Sequence, residues 1–376
     1  MYLTIYNFLM SLLWGGLFFG GFCLLCRDTS YIRAHGFKPL LLLLLLGLVR
    51  SCLTFELPFT WVIPSSRFLP AIQQAVREPH GVLSLSLREL SILIWIAGAL
   101  VLLIRLVWRL SRQNRAIRCL RRRAEPVATA MAEVMRREAG TAGRCAAVTI
   151  PGLDSPAVCG FFSPTVLLPD MEFSEEQLRY ILLHELTHFS NRDAWLKLAI
   201  AVFQALFWWN PLVYLVGKRF SYILELRCDA CTAARFSPEE KAEYVDTVLY
   251  VTKQSCNPCA GKPEYAFSLA GMSRGKSLIS RMELLLSPGS MRKKLSPAFV
   301  AAALLLTLLS YSFVVQPEGY PPEEDLVGAY EITTENAQLI QTEDGDYELY
   351  IDGEYSCSPS DEFLKYLLYG GLPVEN

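Results

Sequence analysis

The sequence predicts an α-helical membrane protein. It has four transmembrane helices, a mainly α, α+β domain on the cytoplasmic side between the third and fourth, and a small acidic module after the last. Three observations carry this. Apolar residues make up 52% of the 376 positions and charged residues 19%, and the apolar residues are bunched into long runs. Arg and Lys gather on one side of those runs. Between the third and fourth runs lies "ILLHELTHFSNRDAW", residues 181–195, which holds two of the four histidines of the chain.

Residues 4–25 contain no charge and match the roughly twenty positions that cross a ~30 Å hydrocarbon core, so they form the first span. A signal peptide is disfavoured there: the basic leading region is missing, and "RDTSYIR" follows in place of a small-residue cleavage site. Residues 39–58 and 90–108 read as the second and third spans, with Arg50 and Arg105 close enough to the ends to snorkel, and residues 298–315 as the fourth. Arg27, Arg33 and Lys38 lie between the first two spans. A row of arginines from Arg109 to Arg123 follows the third, and Arg292, Lys293 and Lys294 precede the fourth. All fall on one face, which the positive-inside rule makes cytoplasmic. Both termini and the loop of residues 59–88 are then outside. The expected domains are 1–108, three spans; 109–296, a cytoplasmic domain; 297–315, the last span; and 316–376, an outside module.

The row of arginines invites a nucleic-acid reading. Its position against a span favours anionic lipid instead, and direct nucleic-acid binding is not expected. Ten of the eleven cysteines lie in spans or on the cytoplasmic side, where disulfides are reduced; Cys357 alone is outside. Two C-x2-C pairs, Cys228 with Cys231 and Cys256 with Cys259, have the outline of a zinc ribbon.

In the cytoplasmic domain, Ser174 and Gln177 form a capping box, with Phe173 and Leu178 placed as a staple, so a helix runs from about 175 to 190. His184 and His188 then stand one turn apart on one face, and their imidazoles can converge on one metal ion. Glu185 is offset by one residue, which suits a general base that is not a ligand. Catalytic zinc needs a third protein ligand. "YILELRCDAC", residues 222–231, offers Glu225, with Asp229 four residues on as a supporting carboxylate; Glu243 is the competitor, and a plain solvated helix face is equally open for Glu225. Residues 194–218 are apolar enough to pass for a span. A crossing there would part Glu225 from His188, so they read as a helix lying against or dipping into the membrane and turning at Trp208–Pro211. Upstream, "SPAVCGFFSPTVLLPD", residues 155–170, reads as a hairpin or edge strand. Val158, Gly160 and Phe161 could there bind an extended peptide by strand addition, and a purely structural strand stays open.

HELTH, the following N-R-D, the FWWNP turn, the E-x-x-C-D segment and residues 155–170 together resemble the BlaR/MecR-type membrane-embedded zinc metallopeptidases, bacterial receptors that sense β-lactams. The resemblance covers most of residues 1–315. It implies a gluzincin-like fold in a multi-pass cell-membrane protein, one Zn2+ per chain on His184, His188 and Glu225, Glu185 as base, and Asp193 and Asp229 as supporting carboxylates. It takes Cys228 out of the zinc ribbon, because that position carries the family's own cysteine. The expected function is a regulatory endopeptidase that cuts itself or a cytoplasmic transcriptional repressor in response to an outside signal; a homodimer stays open. A quality-control or processing endopeptidase of the HtpX-like kind is the alternative, as is an idle receptor with a structural metal.

The chain departs from the β-lactam receptors after residue 315. Residues 316–376 carry fifteen Asp or Glu against one Lys and no S-x-x-K motif, so acylation by a β-lactam is not expected. "YELYIDGEYSC" predicts a hairpin turning at Asp352-Gly353, and "EFLKYLLYGG" a short helix.

Overall fold

The computed structural model describes residues 5–54, 60–65, 79–80, 85–122, 126–138, 140, 144–254, 274–286 and 295–317. Of the tail it describes 332, 336–342, 347–359, 363–364, 367 and 372–375. Most described residues are helical. Cys256 and Cys259, and with them the rest of the zinc-ribbon outline, lie outside the described residues.

Helix α1 (Ile5–Leu25) and α4 (Leu87–Arg121) are each long and apolar enough to cross a membrane. Between them, α2 (Thr29–His35) and α3 (Lys38–Cys52) meet at a bend of 103° and qualify as a span only together. The bend falls at Gly36, whose φ of 77° lies where a side chain would be strained, and at Pro39 inside the first turn of α3. Among the described residues, two helices, or three spans if the bent pair counts as one, are therefore long and apolar enough to cross a membrane.

The expected fourth span is shorter as a helix than as an apolar run. α11 (Pro297–Leu309) has 13 residues, about 20 Å at 1.5 Å per residue. The chain then turns, and Phe313–Pro317 becomes a strand, β7, because "FVVQP" is β-branched and aromatic and ends in proline. β7 pairs in parallel with β1 (Trp61–Ser65) over five residues, joining the loop after α3 to the segment after α11; the short strands β2 (Pro79–His80) and β3 (Leu85–Ser86) pair antiparallel just before α4.

Arg50 does not snorkel. It is buried, donating from Nε to Ser310 Oγ (3.0 Å), from Nη2 to the Ser310 carbonyl (3.1 Å), and from Nη1 to Ser11 Oγ and the Leu53 carbonyl. Its guanidinium stacks 4.2 Å from the Tyr311 ring centroid. The end of α11 is thus tied to α1 and α3.

The apolar stretch of residues 194–218 forms a helical hairpin: α7 (Asp193–Leu206) and α8 (Pro211–Ala233). The break falls at Asn210, whose side chain caps α8 by accepting from the Leu212 amide, and Pro211 opens the helix. The hairpin packs along α1 and α4. Trp95 of α4 donates to the Leu206 carbonyl (2.6 Å), Trp208 donates back to the Trp95 carbonyl (3.3 Å), and Phe8 of α1 meets both Trp95 and Trp209. One apolar cluster runs without interruption from Phe22 of α1 and Leu40 of α3 through Phe203 and Phe220 to Leu284 of α10 (Arg274–Leu286).

A second cluster holds the remainder of the domain. α5 (Pro126–Glu138), α6 (Glu175–Ser190) and α9 (Pro238–Gln254) pack with a three-stranded sheet of order β4-β6-β5. β4 (Ala146–Ile150) runs parallel to β6 (Thr165–Pro169), and β5 (Ala157–Cys159) antiparallel to it, so the expected hairpin forms with β5 at the edge. In the tail, β8 (Ala337–Gln341), β9 (Tyr347–Ile351), β10 (Glu354–Cys357) and β11 (Val374–Glu375) form a sheet of order β10-β9-β8-β11. Its expected turn sits at Asp352 and Gly353, with φ of 52° and 83°. Phe363, Leu364 and Leu367 are helical; the rest of residues 360–371 lies outside the described residues.

Candidate metal centre

α6 begins as expected: Ser174 Oγ accepts from the Gln177 amide (3.2 Å) while Gln177 Oε1 accepts from the Ser174 amide (3.1 Å). Ile181, Leu182, Leu183 and Leu186 bury one side of the helix, and Phe189 is half-buried. This locks the rotation of the helix and aims His184 and His188 at α8, their rings 4.8 Å apart.

On α8, Glu225 Oε2 lies 3.8 Å from His184 Nε2 and 3.5 Å from His188 Nε2. Two imidazole nitrogens and one carboxylate oxygen face one point, a donor set that suits zinc. Glu225 is half-exposed, which leaves the point open on one side. Glu243, the competitor, is elsewhere and accepts from the Tyr180 hydroxyl at 2.7 Å.

The other ring nitrogens are held from behind. His188 Nδ1 lies 2.7 Å from Asp193 Oδ2, and Arg227 pairs with the other oxygen of Asp193. His184 Nδ1 lies 2.7 Å from the Tyr244 hydroxyl, which donates to Asp229 Oδ1 at 2.7 Å. Arg281 of α10 clamps Asp229 with two bonds, Nε to Oδ2 (2.6 Å) and Nη2 to Oδ1 (2.9 Å). Each carboxylate behind a histidine is therefore neutralised by its own arginine, and both imidazoles are fixed with Nε2 forward. Asp193 thus lies behind His188, and Asp229, through the Tyr244 hydroxyl, behind His184. Tyr244, Arg227 and Arg281 were missed: they come from α8, α9 and α10 and carry no motif.

The field at the site is strong. Burial disfavours a charged His184, but Cys228 and Glu225 prevail and push it up to about 10. His188 follows, raised well above its ordinary value against burial by Cys228, Glu225 and Asp193. Burial works against the Glu225 carboxylate too, yet the two histidines hold it well below the usual carboxylate range. Cys228 is buried beneath the imidazoles. Its Sγ lies 3.2 Å from the His184 carbonyl and belongs with His184 and His188 to a group of donor atoms all within 4.8 Å of one another, and against burial the two histidines hold its thiol below the usual range.

Glu185 is buried on α6, against which β5 lies. The charge of Glu185 reaches Cys159 at the end of that strand: burial pushes the Cys159 thiol up to about 11, the bond from Gln113 opposes this, and Glu185 adds to it. Val158 is half-buried in β5. Gly160 has a φ of 104°, and a side chain there would strike the Ser163 carbonyl, so the glycine serves the turn. Phe161 and Phe162 both meet Trp195 edge-on, at 4.9 and 5.6 Å, and Trp195 donates to the Phe161 carbonyl at 3.4 Å.

Residues 71–284 match the family of the BlaR1 peptidase M56. The regulatory protein BlaR1 of Bacillus licheniformis is 27% identical over 128 residues, which is 33% of this chain and 21% of that protein. The methicillin resistance mecR1 protein of Staphylococcus aureus is 23% identical over 212 residues, 55% of this chain and 35% of that protein. The chain thus spans about a third or less of the length of these relatives. The family match runs from the segment before α4, through α6 and α8, into α10, and so takes in each element that supplies a residue to this centre; the chain belongs to the BlaR1 peptidase M56 family.

Proposed function

We propose that this chain is an integral-membrane zinc metalloendopeptidase with His184, His188 and Glu225 as metal ligands and Glu185 as general base. The observation that carries the reading is the convergence of both Nε2 atoms on Glu225 Oε2, with both Nδ1 atoms secured from behind. Zinc held there would supply Lewis acidity towards a peptide carbonyl and lower the pKa of a water molecule. Glu185 takes the proton of the attacking water and delivers it to the leaving amide nitrogen. β5 adds an extended peptide to its free edge, with Val158, Gly160 and Phe161 along the path and the scissile bond near Glu185.

The names of the relatives support a regulatory role: an outside signal switches cleavage of the chain itself or of a repressor protein on the cytoplasmic side. In this reading α1, the α2–α3 pair, α4 and α11 sit in the membrane, and residues 109–296 face the cytoplasm. In detergent-purified protein, His188→Ala and Glu225→Ala should lose zinc by elemental analysis, whereas Glu185→Gln should keep it and lose hydrolysis. Zinc at the wild-type ratio in either ligand variant overturns the assignment.

One observation favours a second reading, a closed structural metal: Cys228 Sγ stands close to both histidines. Its engagement with the His184 carbonyl, and a Glu185 that such a site would not use, count against it. Cys228→Ala keeps zinc in the first reading and loses it in the second.

A further inference from the structure

We infer that Lys197 is the group that stabilises the negative charge on the scissile carbonyl oxygen, an inference that rests on the zinc-peptidase reading. Lys197 lies on α7, four residues after Asp193 and thus on the same face of that helix. Its Nζ stands 4.0 Å from Glu225 Oε1, while the other oxygen of Glu225, Oε2, faces the two histidines. With its side chain 23% exposed, Lys197 reaches the half-exposed side of Glu225. It also lies within electrostatic reach of Cys159, at the end of the edge strand, where Glu185 is felt as well. The ammonium is therefore beside Glu225 and within electrostatic reach of the end of the strand on which a peptide would lie.

The other cations of the centre are committed. Arg227 is held by Asp193 and Arg281 by Asp229, both behind the imidazoles and away from their Nε2 atoms. Lys197 is in front, and a separation of 4.0 Å from Glu225 is at the limit of an ion pair, so little is lost when it turns to another anion.

Hydrolysis creates that anion. As the C–O bond to water forms, one O–H bond breaks and its proton passes to Glu185, while the carbonyl π pair moves onto oxygen as a full negative charge. When the C–N bond breaks, that pair re-forms the carbonyl and the proton goes to nitrogen. An ammonium already in place stabilises the charge where it appears.

The test separates charge stabilisation from mere support of Glu225. Zinc-loaded wild type, Lys197→Met and Lys197→Arg are titrated calorimetrically with two dipeptides. N-phosphoryl-Leu-Ala presents a tetrahedral anion, and mercaptoacetyl-Leu-Ala binds zinc through sulfur and puts no oxygen at that position. Lys197→Met should weaken the phosphoryl peptide about a hundredfold, leave the mercapto peptide within about threefold, and keep zinc at the wild-type ratio; Lys197→Arg should restore most of the phosphoryl affinity. Equal losses for both peptides, no loss for either, or loss of zinc in Lys197→Met overturns the assignment of Lys197. Failure of zinc-loaded wild type to bind either peptide overturns the peptidase reading itself.

Discussion

Glu243 and Tyr244 are neighbours in sequence, and the site uses the second of them. Glu243 turns to Tyr180, whereas the Tyr244 hydroxyl bridges His184 Nδ1 and Asp229. Such an outer partner fixes the tautomer and raises ligand basicity, so Tyr244→Phe should weaken zinc binding by about 10- to 100-fold in competition with a chelator. Unchanged affinity would show that Asp229 reaches His184 without the hydroxyl, across the 3.4 Å that separates them. The same competition has a definite pH dependence. Metal-free His184, pushed up to about 10, holds a proton below that value, and zinc must displace it. Affinity should therefore rise about tenfold per pH unit from this residue alone and fall on acidification. A flat profile between pH 6 and 8 would mean that metal-free His184 holds no proton for zinc to displace.

At the scale of elements, α6 is legible from its cap and its apolar side, while the α7–α8 hairpin is legible only as a long apolar run. Its path follows from a close approach. Gly98 of α4 lies under Trp208, and a Cβ there would come within 2.5 Å of the indole ring. At Gly20 of α1 a Cβ would meet nothing within 4 Å. Gly98→Leu should push the hairpin away and lower both the thermal midpoint and the zinc content, because α7 and α8 carry Asp193 and Glu225. Gly20→Leu should change neither. Equal effects of the two would mean that Trp208 does not hold the hairpin on α4.

At the scale of the whole molecule, the segment that leads to the tail is fastened to the bundle. Arg50 holds Ser310, Tyr311 donates to the Leu53 carbonyl (3.1 Å), Thr60 donates to the Tyr311 carbonyl (2.9 Å), and β7 pairs with β1. Arg50→Ala leaves buried hydroxyl and carbonyl groups without their donor, at a cost of roughly 1–3 kcal/mol. Amides of residues 313–317 should then exchange with deuterium about 10- to 100-fold faster, with Arg50→Lys in between. Exchange at the wild-type rate in Arg50→Ala would mean that strand pairing alone holds the segment.

What the sequence by itself determined is local: the apolar runs, the capped helix with His184, Glu185 and His188 at fixed spacing, the β5–β6 hairpin and the Asp352-Gly353 turn. Each depends on residues within a few positions of one another, where periodicity, caps and turn chemistry act. Even Glu225 needed the resemblance, since a carboxylate on a helix is common. Tertiary structure alone decided that Arg50 is buried, that Phe313–Pro317 leaves the helix to pair with β1, and that Tyr244, Arg281 and Lys197 gather round the histidines. His184 and Tyr244 are 60 positions apart, and Asp229 and Arg281 are 52. No local pattern encodes such pairs, because they form only when packing of several helices brings buried polar groups into a shared space, where each must find a partner.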